Sequence, residues 1–442
     1  MANKNIFCNV PWFHMDLHHD GTFGVCCNSG KPVMADGEQD KHNIKNMTIS
    51  QWYSSEYMRK VRVKMLGDEK LSACDLCYRD ESIDNESSRI VNNWRSIIFT
   101  KQSFDRSFEQ SPHYEIFSKS ENDGAYDGMP LDLHIDMGNE CNLACKFCKP
   151  AFSTTIGSKY KKWGILSKED SLRTNWMDDD DVWYKFLNEL LNIKNLKSVH
   201  FMGGEPTMSP RLMEFLDFFI DNERTNFAIS FVTNGTFFSQ ELIDKMKRFT
   251  RADIDISIES ILDNMYYIRQ GLKKEKFTAN LKLFMDARGD NFYVCLKPAI
   301  SALNAPTYPE LIEFFLENNI LTESNIVFNP EYLRVEVLPL EIRKLYIPKF
   351  EALLKKLDNL IGDDMKLVRN RHSETNLINL HSELNSVYNM MLLPDPENAV
   401  DLRKELVYWL SKWDSEYNHD ARIIYPEWAD FLNSYDYKKV SN

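Results

Sequence analysis

Eight of the nine cysteines in this 442-residue chain lie in its first 148 positions, and three of them, Cys141, Cys145 and Cys148, form a C-x3-C-x2-C triplet. Three thiols at such spacing share one compact loop, so the fold there must be built around what they bind. The others are Cys8, Cys26, Cys27, Cys74 and Cys77, with Cys295 alone downstream. The N-terminal run has no apolar segment of the secretory kind, and no stretch of 18 uncharged apolar residues occurs. A cytoplasmic chain without a membrane span is therefore expected, and clustered cysteines there read as metal ligands before disulfides. Lys plus Arg total 53 against 66 Asp plus Glu, a net charge of −13 that argues against nucleic acid as a partner.

From residue 131 apolar strands alternate with helices. Strands are predicted at 131–137, 197–202, 227–233, 253–258, 292–298 and 325–337. Helices are predicted at 182–193, 209–222, 239–249, 273–288 and 308–319. The alternation implies an α/β fold with a parallel sheet or open barrel, whose ligands gather at the carboxyl ends of the strands. Upstream, residues 7–27 read as a hairpin turning at Asp20-Gly21, and 49–66 as one helix with Ser50 as its cap. Cys74-x2-Cys77 is expected in a loop, and the polar stretch 104–130 as a linker. Residues 341–362 and 374–414 read as helical.

Thiolates select zinc or iron–sulfur clusters. A structural zinc wants a fourth protein ligand, and none stands close to the triplet in sequence. Three ligands on a four-iron cluster would leave one iron open. With Phe147 before its third cysteine, the triplet resembles the radical S-adenosylmethionine (radical SAM) superfamily. The resemblance extends to Gly203-Gly204-Glu205-Pro206 at the end of the second strand, which in that family binds the methionine amino group. It implies a partial (β/α)6 TIM-like barrel. It also implies a [4Fe-4S] cluster on Cys141, Cys145 and Cys148 and reductive cleavage of S-adenosylmethionine. The 5′-deoxyadenosyl radical so formed takes hydrogen from substrate. Further cofactor contacts implied are Ser257 and Glu259 at the ribose, Arg269 at the methionine carboxylate, and Asn234 near the cofactor. By residue chemistry alone Arg269 could instead be a solvated helix charge, the lesser alternative, and Asn234-Gly235 a simple turn.

Cys8-Asn-Val-Pro-Trp12, Gly21, Cys26-Cys27 and Cys74-x2-Cys77 resemble the auxiliary-cluster modules called twitch and SPASM, here ahead of the core instead of behind it. Four ligands suit one extra [4Fe-4S] cluster, on Cys8, Cys26, Cys74 and Cys77. Cys27 points to the other face of its strand unless it exchanges roles with Cys26. A zinc knuckle, which His14, His18 or His19 could enter, is the alternative.

Cys295 and Lys297 share a strand face as candidate catalytic residues. The thiol is either a hydrogen-atom donor or a small core residue, and the lysine holds a substrate anion or caps the strand. Asp132, His134 and Asp136 line one face of the first strand. The expected organisation is an auxiliary module over 1–103, a linker over 104–130, the radical SAM core over 131–338 and a helical extension over 339–442. Expected partners are a peptide, protein or small-molecule substrate and a low-potential electron donor such as flavodoxin or ferredoxin. Peptide or protein modification ranks ahead of aminocyclitol- or sugar-type dehydrogenation. A non-enzymatic, zinc-stapled interaction protein is the rival from another class.

Overall fold

A computed structural model describes residues 6–29, 41–67, 69–82, 87–90, 92–93, 113–362 and 372–437. Residues 104–112 of the expected linker lie outside the described residues. The chain divides into two compact units. One comprises 1–140, 169–231 and 240–252, and the other 141–168, 232–239 and 253–442. No helix among the described residues is long and apolar enough to cross a membrane.

The first unit is built on a mainly parallel sheet. His14–Leu17 pairs antiparallel with Phe23–Gly24 and parallel with Asp132–Asp136, His14 standing opposite Asp132. Asp132–Asp136 is flanked by Ser198–Met202, and that strand by the one beginning at Ala228. Period two sorts the side chains. Leu133, Ile135, Val199, Phe201, Ile229 and Phe231 are fully buried on one face. Helices Asp180–Leu191 and Pro210–Asp221 supply apolar stripes to this unit, and Phe215 meets Phe201 edge-on at 4.8 Å. The opposite face carries Asp132, His134, Asp136, Ser198, His200 and Ser230.

The helix expected at 49–66 is two, Ile49–Tyr53 and Glu56–Leu66. Ser55 takes extended backbone and its hydroxyl accepts from Met58 N, so a second cap interrupts the run. Thr48, not Ser50, caps the first, in a capping box with Gln51. The Cys74-x2-Cys77 pair is not in a loop: Ser72–Cys74 is a 3-10 turn and Asp75–Ser82 a helix. Within the expected linker Tyr114–Lys119 is helical, and Phe117 packs on Trp12 at 5.0 Å.

The second unit contains the carboxyl end of Arg251–Ser257, Phe292–Lys297 and the short strand Leu321–Thr322, with Leu321 opposite Cys295. The sixth strand expected at 325–337 is replaced by the two-residue strand Asn325–Ile326 and 3-10 turns at Glu331–Leu333 and Val335–Val337. Pro330 has no N–H for a sheet ladder. The helical predictions beyond residue 340 split at their prolines. Ile347–Ile361 starts anew with Pro348 in its first turn, and Pro394 and Pro396 separate His372–Leu392 from Ala399–Tyr417.

Candidate functional site

In the first unit the glycine motif follows Ser198–Met202. Gly204 N donates to Gly138 O at 2.9 Å, and Glu205 N to Glu140 O at 2.8 Å. A Cβ on Gly204 would stand 2.2 Å from Glu140 O, and Gly203 has a φ of +127°. Only glycine allows this approach to the segment that leads into Cys141. Glu205 is buried, and its carboxylate accepts from Thr207 N at 3.2 Å and Thr207 Oγ1 at 2.5 Å. Pro206 opens a 3-10 turn behind it.

The cysteine triplet lies in the second unit. Ala144–Cys145 pairs antiparallel with Arg269–Gln270, Cys145 opposite Arg269. This short ladder, invisible to periodicity, draws Arg269 onto the cysteine loop. Arg269 is buried, not a solvated helix charge. Its guanidinium forms a bidentate pair with the fully buried Glu259, donates to Cys145 Sγ at 3.6 Å and stacks over Phe147 at 5.4 Å. Two carboxylate–guanidinium bonds in a dry site fix the fork firmly. The strand ends at Ser257, and Glu259 lies beyond it, tied to Arg269. Asn234 Nδ2 donates to Cys141 Sγ at 3.8 Å and to Asn142 Oδ1 at 2.9 Å. Asn142 Nδ2 donates in turn to Thr236 Oγ1 at 3.1 Å, so Asn234 is more than a turn residue.

Burial pushes the Cys145 thiol up, with Arg269 acting against it, and pushes Cys148 up to about 11. Burial of this kind disfavours bare thiolates, and a bound metal would take the place of the protons as the compensating charge. In the first unit burial raises Cys8 well above the usual thiol range, with Cys26, Cys74 and Cys77 close enough to add to the rise. It also raises Cys26 to about 11 and Cys74 to about 12. Cys27 is exposed. The hairpin and the helical knuckle thus bring the four expected cysteines into one neighbourhood, which Cys27 also shares through Cys26 and Cys77. Among the described residues, the trio whose ligand atoms all lie within 4.8 Å of one another is His14, Asp132 and His134, not any set of cysteines. His14 is absent from the cysteine group and bonds Asp132 Oδ2 at 2.7 Å.

Cys295 is half-buried, and burial beside Asp255 pushes its thiol up to about 12. Lys297 Nζ lies 2.9 Å from Asp255 and 3.0 Å from Glu323.

Sequence reasoning missed Lys146 and Asp414. Lys146, inside the triplet, is buried with its Nζ 3.7 Å from the equally buried Asp414 and 4.0 Å from the centre of the Tyr267 ring. Lys146 Nζ, Asp414 Oδ1 and Tyr267 Oη have no hydrogen-bond partner. A lysine between two closely spaced cysteines was the available signal, but its partner is 268 positions away.

Residues 135–298 match the family model described as the radical SAM superfamily. The chain is 21% identical over 209 residues to the tungsten-containing aldehyde ferredoxin oxidoreductase cofactor-modifying protein of Pyrococcus furiosus, covering 45% of this chain and 51% of that one. It is 23% identical over 214 residues to the radical SAM cyclopropyl synthase TigE of Paramaledivibacter caminithermalis, covering 46% and 42%. The chain spans about half the length of these curated relatives. SuiB of Streptococcus suis, solved with the precursor peptide SuiA, overlays at 14% identity over 68% of this chain and 64% of that one, with a TM-score of 0.37, too low to bear on fold or substrate.

Proposed function

We propose that this chain, which carries a radical SAM domain over residues 135–298, is an enzyme that modifies a peptide or protein by radical chemistry. The supporting observation is the loop of Cys141, Cys145 and Cys148, with Asn234 and Arg269 donating to two of its sulfurs. Those three thiols would hold a [4Fe-4S] cluster, leaving one iron for S-adenosylmethionine. Bound together, cluster and S-adenosylmethionine supply reductive carbon–sulfur cleavage and a 5′-deoxyadenosyl radical that abstracts hydrogen from substrate.

This chain's residues bind and orient. Gly203, Gly204 and Pro206 hold the backbone that aims Glu205, whose carboxylate would receive the methionine ammonium. Asn234, Ser257 and Glu259 would meet the nucleoside, and Arg269, anchored by Glu259, would face the methionine carboxylate. Phe147 shields the cysteine loop. The reading carries with it a partial (β/α)6 barrel over 131–338. Cys8, Cys26, Cys74 and Cys77 would hold an auxiliary [4Fe-4S] cluster in a twitch-like module over 1–103, and this pattern supports the peptide or protein substrate. A neutral Cys295 thiol, beside Lys297, is the form able to give a hydrogen atom to a substrate radical.

The test is iron and sulfide after anaerobic reconstitution, with 5′-deoxyadenosine assayed under dithionite. About eight iron per chain, falling to about four with loss of 5′-deoxyadenosine in Cys141→Ala/Cys145→Ala/Cys148→Ala, is expected. Zinc in place of iron, with no cofactor cleavage by wild type, refutes the reading and leaves a zinc-stapled binding protein.

A further inference from the structure

Residues 141–168 hold six lysines, at 146, 149, 159, 161, 162 and 168, and no Asp, Glu or Arg, in a chain of net charge −13. Three of them fall in the last turn of Thr154–Lys162, the helix after the cysteine loop. Within the same unit Ala399–Tyr417 lies against this helix. Lys159 and Lys162 share the single carboxylate of Glu416 at 2.8 Å each, so the pairing leaves positive charge over. Lys162 keeps 65% of its side chain in solvent.

Between the two helices opens a groove of about 560 Å³ lined by Lys162, Trp163, Lys404, Tyr408 and Lys412, with Glu416 and Asp436 as its carboxylates. Lys412 lies over the rings of Trp163 and Tyr408, at 5.3 and 5.4 Å. Trp163 joins the groove to an aromatic cluster. Trp163 meets Trp413 edge-on at 4.8 Å, and Tyr160 stacks on Trp409 at 5.4 Å. Tyr160, Trp163, Trp409 and Cys148 all pack on the core formed by Ala144, Ile156 and Trp413. Trp163, which lines the groove, and Cys148, the third cysteine of the triplet, thus pack against one small core.

Electron transfer weakens steeply with distance, so a reductant must approach where the covering layer is thin. A locally basic rim on an otherwise acidic protein steers an acidic partner and repels a basic one. Exposed aromatic surface framed by charge is the composition of a protein-docking patch, larger than a small ion needs. We propose that this groove is the docking surface of an acidic one-electron carrier protein. The carrier is oxidised by one electron and the centre held by Cys141, Cys145 and Cys148 is reduced by one, with no bond made or broken. The proposal rests on the radical SAM reading of that site.

The test uses the full, reconstituted chain and its Lys162→Glu/Lys412→Glu variant, neither residue being part of the cofactor site. Binding of an acidic flavodoxin and of an acidic ferredoxin is measured directly, and 5′-deoxyadenosine formation is followed with each carrier and with dithionite. Wild type is expected to bind one carrier more weakly as salt rises. In the variant, carrier affinity and carrier-driven turnover should fall by about tenfold at low salt, with dithionite-driven turnover unchanged. Carrier affinity equal in the two proteins, or wild-type affinity indifferent to salt, overturns the docking surface. Absence of dithionite-driven cleavage in wild type overturns the reading of the site instead, while the binding measurement still decides the surface.

Discussion

Asp414→Asn should be among the most damaging substitutions of similar shape in the second unit. The aspartate and Lys146 leave 0% and 1% of their side chains exposed, and Nζ stands 3.7 Å from Oδ1. At an effective dielectric of about 20, that separation is worth about 4.5 kcal/mol. Asparagine keeps an oxygen for Ala421 N and Tyr437 Oη, which donate to Oδ2 at 2.7 and 2.5 Å. What it removes is the carboxylate that holds Lys146 charged against burial, which lowers the lysine to about 7 even with Asp414 in place, and removing one partner of such a pair costs about 3–5 kcal/mol. Lys146→Met/Asp414→Asn buries no charge and puts a flexible thioether against the rings of Tyr267 and Trp413, which the lysine now faces. Thermal unfolding followed by tryptophan fluorescence should show the single variant melting about 10 °C lower, at about 3 °C per kcal/mol for a unit of this size. The double variant should recover most of that loss. A single variant within 1 °C of wild type, or a double variant no better than the single, would refute the idea that the helix Ala399–Tyr417 holds the cysteine loop through this pair.

Other substitutions probe the site more locally. Gly204→Ala puts a Cβ 2.2 Å from Glu140 O and should destabilise by about 1–3 kcal/mol and abolish 5′-deoxyadenosine formation, read by denaturant unfolding and product assay. Arg269→Gln leaves Glu259 buried without its partner; a loss of about 3–5 kcal/mol and poor iron retention are expected, and Arg269→Lys should not rescue, since one ammonium cannot replace the bidentate fork. Cys26→Ala should lower iron by about four per chain and Cys27→Ala should not, as read by iron analysis. Burial and the neighbouring Asp16 push Asp136 up to about 7. Its stabilising contribution is therefore full below about pH 4 and is lost as pH rises through 7, so Asp136→Asn should flatten the stability profile between those values.

The second, third and fourth predicted strands lie within two residues of the observed ones, because each is a short apolar run bounded by turn residues. The sixth failed at Pro330, whose missing N–H outweighs the β-branched residues around it. The helix at 49–66 failed because two serines in succession offered a cap that periodicity ignores. Arg269 and Glu259 were legible as polar residues ten positions apart, but their mutual bond and the guanidinium on Cys145 depend on a two-residue ladder too short to leave a pattern.

The sequence by itself determined what depends on neighbours along the chain. These are the thiol triplet in one loop, the glycines that a close backbone approach demands, the polar and apolar faces of each strand, and the lysine-rich, acid-free stretch after Glu140. Only the tertiary structure decided which distant charge meets which. Asp414 against Lys146, Glu416 against two lysines, and His14 against Asp132 bring together residues more than 100 positions apart. A charge or hydrogen-bonding group carries no label for its partner in sequence. The partner is selected when burial removes water and leaves an unpaired group costly.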